Sequence, residues 1–161
     1  MDIFNFIGNK IINGLYSLIN NFTTFKVVLL TKNAKIPVKA DPGCAGYDIF
    51  SCEPFTLYAG KRQLVSTGIS TEFSNNFYLR IAPRSGMSVK GIDVGAGVID
   101  SSYRGEIKVL LINNSDITHK FEIGAKIAQL ILERCSNVVI EKTDILSETE
   151  RGHGGFGSTG N

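Results

Sequence analysis

Between residues 25 and 141 the apolar positions fall in short runs. Polar, Gly and Pro residues cut them, and the pattern predicts strands. Phe25–Leu30 is one such run. Arg62–Phe73 and Phe77–Ala82 flank a polar turn at Ser74–Asn76. Glu106–Asn113 alternates around Ile107, Val109 and Leu111, and Lys126–Glu133 and Asn137–Glu141 follow. Turn signals stand at Asp41-Pro42-Gly43, Ala59-Gly60 and Asn113–Asp116. Many short strands with this punctuation predict an all-β sandwich or barrel. One short helix is expected just after Arg84-Ser85-Gly86.

Both ends differ from this middle. Residues 1–24 place Ile3, Phe4, Ile7, Ile11, Leu15, Leu18 and Phe22 at three-to-four spacing, which predicts an amphipathic leader helix. Asn5, Asn9, Lys10 and Asn13 break the apolar stretch, so it is no secretory signal. Three readings stand: a helix packed on the protein itself or a neighbouring subunit, a contact with a membrane or partner, or a disordered tail. Residues 142–161 form a C-terminal arm, with five glycines among the ten residues from Arg151 to Gly160. Such a stretch holds no fixed shape alone, yet its Arg, Phe, Ser and Thr suit a loop that folds over a phosphorylated ligand.

Composition narrows the classes. At 161 residues the chain suits a single domain. A net charge of +2 is too balanced for a phosphate-backbone binder, so no direct nucleic-acid binding is expected. No run of 18 apolar residues occurs, which excludes a spanning helix. Cys44, Cys52 and Cys135 make an odd count with no Cys-x-x-Cys. That favours a reducing compartment, by default the cytoplasm, with the nucleus as the alternative. With only His119 and His153 present, a zinc site is not expected.

Five segments carry candidate chemistry. In the tail, glycine N–H groups can form an anion nest. Arg151 adds a charged fork, Ser158 and Thr159 add hydroxyls, and Phe156 offers a face for a base. Arg84-Ser85-Gly86 beside a helix start makes a second phosphate cradle, or an ordinary solvated turn. Gly95-Ala96-Gly97 suits a tight hairpin that brings bare backbone near a ligand. Asp100 follows the short apolar run Val98-Ile99, where a carboxylate could orient a water and take its proton, or simply cap a turn. Asp48, in Ala45-Gly46-Tyr47-Asp48, could serve a metal directly or through its waters. Gln129, alone in an apolar strand, is either paired with backbone or pointed at a ligand.

Taken in order, these segments resemble the trimeric deoxyuridine triphosphate nucleotidohydrolase (dUTPase) family. Gly-Val-Ile-Asp-x-x-Tyr-Arg-Gly (97–105) and Arg-Gly-x-Gly-Gly-Phe-Gly-Ser-Thr-Gly (151–160) carry most of the likeness, which covers about residues 25–161. The resemblance implies a jelly-roll-like β-barrel, a homotrimer and three active sites at subunit interfaces. It implies Mg²⁺-dependent cleavage of dUTP to dUMP and pyrophosphate, which limits uracil in DNA and supplies dUMP for thymidylate synthesis. One subunit would supply Asp48, Arg84, Ser85, Gly86 and Gln129, a second Asp100 and Tyr103, and a third its tail as a lid.

Roles follow by the same resemblance. Asp100 would hold the attacking water and meet the 3′-hydroxyl. Tyr103 would lie beneath the deoxyribose, leaving no room for a ribose 2′-hydroxyl. Backbone groups of Ala96, Gly97, Val98, Ile99 and Lys108 would read the uracil edge. Arg84, Ser85, Gly86 and Gln129 would hold the phosphate chain, and Asp48 the waters of the Mg²⁺ shell. Arg151, Gly157, Ser158 and Thr159 would close on the γ-phosphate, with Phe156 over the uracil.

Three places depart from the family pattern. Ser102 stands where Asp is common, Cys44 where Ser or Ala is common, and Ala125-Lys126 where Asp-Arg is usual. Two other functions come from the same fold. A dCTP deaminase would need a glutamate seven residues after Tyr103, where this chain has Leu110. A non-catalytic binding or regulatory protein would have no need of the complete motif set.

Overall fold

The computed structural model describes residues 25–136 and 138–154. The leader at 1–24 and Phe156, Gly157, Ser158 and Thr159 lie outside the described residues. The elements are β1 (Lys26–Leu29), β2 (Tyr47–Phe50), β3 (Phe55–Leu57), β4 (Arg62–Ser66), β5 (Ile69–Glu72) and β6 (Phe77–Ala82). They continue with α1 (Ser85–Ser88), β7 (Ile92–Gly95), β8 (Val98–Ile99), β9 (Lys108–Asn113), β10 (His119–Phe121) and β11 (Lys126–Arg134). All named ladders are antiparallel. They form sheets ordered β2-β11-β6-β8 and β4-β9-β7, with two-stranded pairs β1-β5 and β10-β3. This is the all-β architecture that the short-strand pattern predicts, in the jelly-roll-like form that the family resemblance implies.

The core follows from alternation. In β9, Val109, Leu111 and Asn113 are buried while Lys108 is exposed, and Val109 sits opposite Val65 of β4. Ile49, Leu57, Ile69, Leu79, Ile92, Ile107, Ile127 and Leu130 join them in one cluster. Each such side chain contributes about 1.5–3 kcal/mol on full burial. Asn113, the one buried amide of this group, is fully used. Its Nδ2 donates to the carbonyls of Leu57, Tyr58 and Ile117 at 3.3, 3.1 and 2.7 Å, which ties β3, β9 and the following turn together.

Several elements differ from the sequence expectation. The Arg62–Phe73 run is two strands, because the chain turns at Gly68, where φ is +69°. A side chain there would also stand 2.8 Å from Thr31 Oγ1 and 2.9 Å from Ala34 Cβ, so glycine is required. The expected strand at Asn137–Glu141 is not formed: residues 138–141 pair with nothing among the described residues. A strand needs a neighbour, and this apolar segment finds none among the described residues. The helix begins at Ser85 and includes Gly86 instead of following it, with Arg84 at its N-cap. The Gly95–Gly97 segment is no paired hairpin. β7 bonds β9 while β8 bonds β6, so Ala96-Gly97 is a corner where the chain changes sheets.

Candidate active site

The register of β11 explains why three separated motifs meet. Gln129 lies opposite Asp48 of β2 on one side and Ala82 of β6 on the other, and Ala82 leads into Pro83-Arg84. A bulge between Lys126 and Ala128 sets two residues of β11 against one of β2. Lys126 thereby comes within 2.8 Å of Asp48 Oδ2. Arg84 Nε donates to Asp48 Oδ1 at 2.9 Å. Its Nη1 reaches the Lys126 carbonyl at 3.4 Å, and Nη2 makes no hydrogen bond among the described residues. A largely buried carboxylate between two cations thus aims the guanidinium, a fork suited to phosphate oxygens.

Gln129 resolves toward the backbone. Its Nε2 donates to the Pro83 carbonyl at 3.0 Å, which fixes the turn into α1. Ser85 and Gly86 are exposed at the start of that single turn, and a Cβ at Gly86 would meet open space. The Ser85 and Gly86 N–H groups precede the first intrahelical bond, from Met87 N–H to the Arg84 carbonyl at 2.9 Å.

A second site lies elsewhere on the chain. A cavity of about 310 Å³ is lined by Leu64, Val98, Ile99, Asp100, Tyr103, Glu106 and Lys108. The Ala96-Gly97 corner immediately precedes its lining residue Val98. Ala96 has φ +57°, the only positive non-glycine value among the described residues, and Gly97 has φ +104°. A Cβ at Gly97 would stand 2.7 Å from the Ile81 carbonyl, the acceptor side of a backbone contact that also gives Ile81 N–H to Gly97 O at 2.7 Å. The corner therefore presents main chain, held against β6. The Asp100 carboxylate is exposed at the cavity, and its carbonyl accepts the Tyr103 N–H at 3.1 Å. The Tyr103 ring folds back onto the chain at Gly105, where any side chain would collide with the phenol, and its hydroxyl donates to the Glu106 carbonyl at 3.0 Å.

The structure therefore gathers the candidate residues in two groups. Asp48, Arg84, Ser85, Gly86 and Gln129 make one; Val98, Ile99, Asp100, Tyr103 and Lys108 make the other. No member of the first group lines the cavity of the second. Arg151 belongs to neither: its Nε donates to the Gly154 carbonyl at 2.9 Å in an exposed turn. Glu106, Leu64 and Lys126 were not singled out as site residues by sequence reasoning. The departure at 126 from the usual arginine is the signal that marks Lys126; Glu106 and Leu64 give none, since only the fold puts them on the cavity.

With this geometry in view, the comparison with known proteins is decisive. The family model for dUTPase matches residues 32–160. The chain belongs to the dUTPase family. Relatives in the family include the deoxyuridine 5′-triphosphate nucleotidohydrolase of Monkeypox virus, 50% identical over 130 residues, covering 81% of this chain and 86% of that protein. The Variola virus protein of the same name is 48% identical over 130 residues, covering 81% and 88%. Among solved structures, a Staphylococcus bacteriophage 80alpha dUTPase with dUPNHPP is 28% identical with a TM-score of 0.80, covering 86% of this chain and 99% of that one. The fold is shared as well with a mutant dUTPase of S. aureus phage phi11, described as revealing the coordination of a structural Mg(II) ion (TM-score 0.73, 23% identity, 78% and 99% covered). The family match, residues 32–160, takes in the chain from β2 through β11 and most of the tail, while the leader and β1 lie outside it.

Proposed function

We propose that this dUTPase-family chain hydrolyses dUTP to dUMP and pyrophosphate by water attack at the α-phosphorus. The observation that carries the reading is the cavity lined by Val98, Ile99, Asp100 and Tyr103, directly after the bare-backbone corner at Ala96-Gly97. It occurs in a chain 50% identical over 130 residues to viral deoxyuridine 5′-triphosphate nucleotidohydrolases. A backbone corner suits a pyrimidine edge, since its donors and acceptors are fixed and leave no flexible group to yield to a 5-methyl. Val98, Ile99 and the main chain at Lys108 complete that wall.

Asp100 takes the proton of the attacking water, a role supported by its exposed place in the cavity lining. Tyr103 supplies the sugar platform. Arg84, positioned through Asp48, binds the phosphate chain beside Ser85, Gly86 and Gln129. Arg151, Gly157, Ser158 and Thr159 close on the γ-phosphate, with Phe156 over the base, and so exclude bulk water.

Mg²⁺ fits Asp48 in one respect. Oδ2 is buried and accepts no aligned hydrogen bond; Lys126 Nζ is an ion contact outside hydrogen-bond angles. No cluster of three metal-binding side chains occurs among the described residues. Asp48 already faces Arg84 and Lys126, so it suits Mg²⁺ only through the ion's waters, with the substrate phosphates supplying the negative charge. When bound, Mg²⁺ supplies charge neutralisation to the triphosphate.

The working unit in this proposal is a homotrimer. Two features support it: the two groups of site residues share no cavity, and Val138, Val139 and Ile140 stand almost fully exposed after β11. An exposed apolar segment that pairs with nothing among the described residues suits strand addition to another subunit. The test is pyrophosphate release from dUTP, dTTP, dCTP and UTP, with and without Mg²⁺, alongside the mass in solution. Release from dUTP alone, by a trimer, is the expected result. Release from none of them returns the chain to a binding role, and ammonia from dCTP to a deaminase.

A further inference from the structure

Arg104–Ile107, the segment that carries Tyr103 into β9, is laced onto the turn between β4 and β5. The Ser70 hydroxyl donates to the Arg104 carbonyl at 2.8 Å. Ile107 N–H donates to the Ile69 carbonyl at 2.8 Å, and the Thr67 hydroxyl donates to the Ile107 carbonyl. All three use main-chain atoms of the segment and survive substitution within it. The fourth bond does not: Gly68 N–H donates to Glu106 Oε1 at 2.9 Å.

Glu106 stands at the centre of this arrangement. Its carbonyl accepts the Tyr103 hydroxyl. Its other carboxylate oxygen lies 3.5 Å from Lys108 Nζ. Its side chain is only a quarter exposed and lines the cavity. A bare carboxylate facing a nucleotide site would repel a triphosphate, and the Lys108 ammonium offsets that charge. The turn it grips cannot drift either, because Gly68 has no room for a side chain and holds a φ that few residues adopt.

We propose that Glu106 is a positioning residue for sugar selection. Its carboxylate anchors the Tyr103 segment to the Gly68 turn, and this holds the phenol ring at the depth where a ribose 2′-hydroxyl meets it. The inference rests on the reading of Tyr103 as the sugar platform. A charge-assisted bond to a backbone N–H is among the stronger protein hydrogen bonds. Its loss lets the segment relax outward while the three main-chain bonds keep it attached.

The experiment compares kcat/KM for dUTP and UTP in the full chain with Glu106→Ala, Glu106→Asp and Glu106→Gln. Alanine and the shorter aspartate lose the Gly68 contact. The dUTP/UTP ratio is expected to fall about tenfold in both, through KM, with kcat on dUTP changed by less than about threefold. Glutamine keeps an acceptor for Gly68 N–H and is expected to hold the ratio within about twofold of wild type. An unchanged ratio in Glu106→Asp, or an equal fall in Glu106→Gln, overturns the inference. If Glu106→Ala does not fold, Glu106→Asp against Glu106→Gln decides alone. A wild-type chain that cleaves UTP as readily as dUTP overturns the reading of Tyr103 itself, a separate outcome.

Discussion

Gln129 lies directly over Gly46. A methyl group at that glycine would overlap the Gln129 amide, 3.0 Å from Cδ and 3.1 Å from Cβ. The amide in turn holds the Pro83 carbonyl that precedes Arg84. Gly46→Ala is therefore expected to push Gln129 off Pro83 and loosen the phosphate cradle. The destabilisation should be about 1–3 kcal/mol, as for other overpacked sites. Steady-state kinetics should show a rise in KM for dUTP, and a thermal melt a lower Tm. An unaltered KM would mean that Gln129 has slack to move.

Asp100→Asn keeps the size and the hydrogen-bonding reach of the side chain but removes its basicity. Turnover of dUTP should fall about 10²–10⁴-fold, the usual contribution of a general base. Binding of a non-hydrolysable analogue, read by calorimetry, should change little. Undiminished turnover would remove Asp100 from the chemistry.

Deletion of residues 151–161 should cost catalysis far more than folding. The described part of this segment is an exposed turn bonded only to itself and Thr149. Its removal takes nothing from the core, so Tm should hold while kcat/KM for dUTP drops. A Tm that falls with the activity would argue that the tail is part of the fold.

Cysteine labelling should separate the thiols. Cys52 is buried, and burial, then the Glu106 and Glu53 charges, raise its pKa above the ordinary thiol value. Thiolate is the reactive form, so Cys52 should resist iodoacetamide near neutral pH while exposed Cys135 reacts. Mass spectrometry of the labelled peptides reads the order directly.

Glu133 should give a small acid-side sensitivity. The Tyr78 hydroxyl first, then Arg80, hold its carboxyl below the ordinary value of 4.5. A depressed carboxylate stabilises the fold above its unfolded pKa and loses that contribution as pH falls through the folded one. Melts below about pH 4.5 should therefore show wild type losing its advantage over Glu133→Gln. The advantage should be present at neutral pH.

How much of this was legible in the sequence depends on range. Glu106–Asn113 reads correctly because its alternation is local, and β9 starts two residues later than the run. Arg62–Phe73 misleads, because nothing in the letters Thr67-Gly68 distinguishes a strand interior from a sheet-changing turn until Thr31 and Ala34 crowd the glycine. Tyr47–Phe50 and His119–Phe121 are too short to show a period. Asp48, Arg84 and Gln129 are recognisable as motif residues, but their meeting depends on the β11 register. The bulge that delivers Lys126 to Asp48 has no local signature, and Asn137–Glu141 has strand composition, yet residues 138–141 meet no partner among the described residues.

The pairing of Asp48 with both Arg84 and Lys126 has a kinetic consequence. One carboxylate cannot balance two cations, so the cluster keeps a surplus positive charge in a half-shielded setting. Such a charge draws polyanions before any contact forms, and added salt screens it beyond roughly 8–10 Å. The encounter with a triphosphate should thus be faster in dilute buffer than in brine, with Lys126 contributing the same single charge as the family's usual arginine.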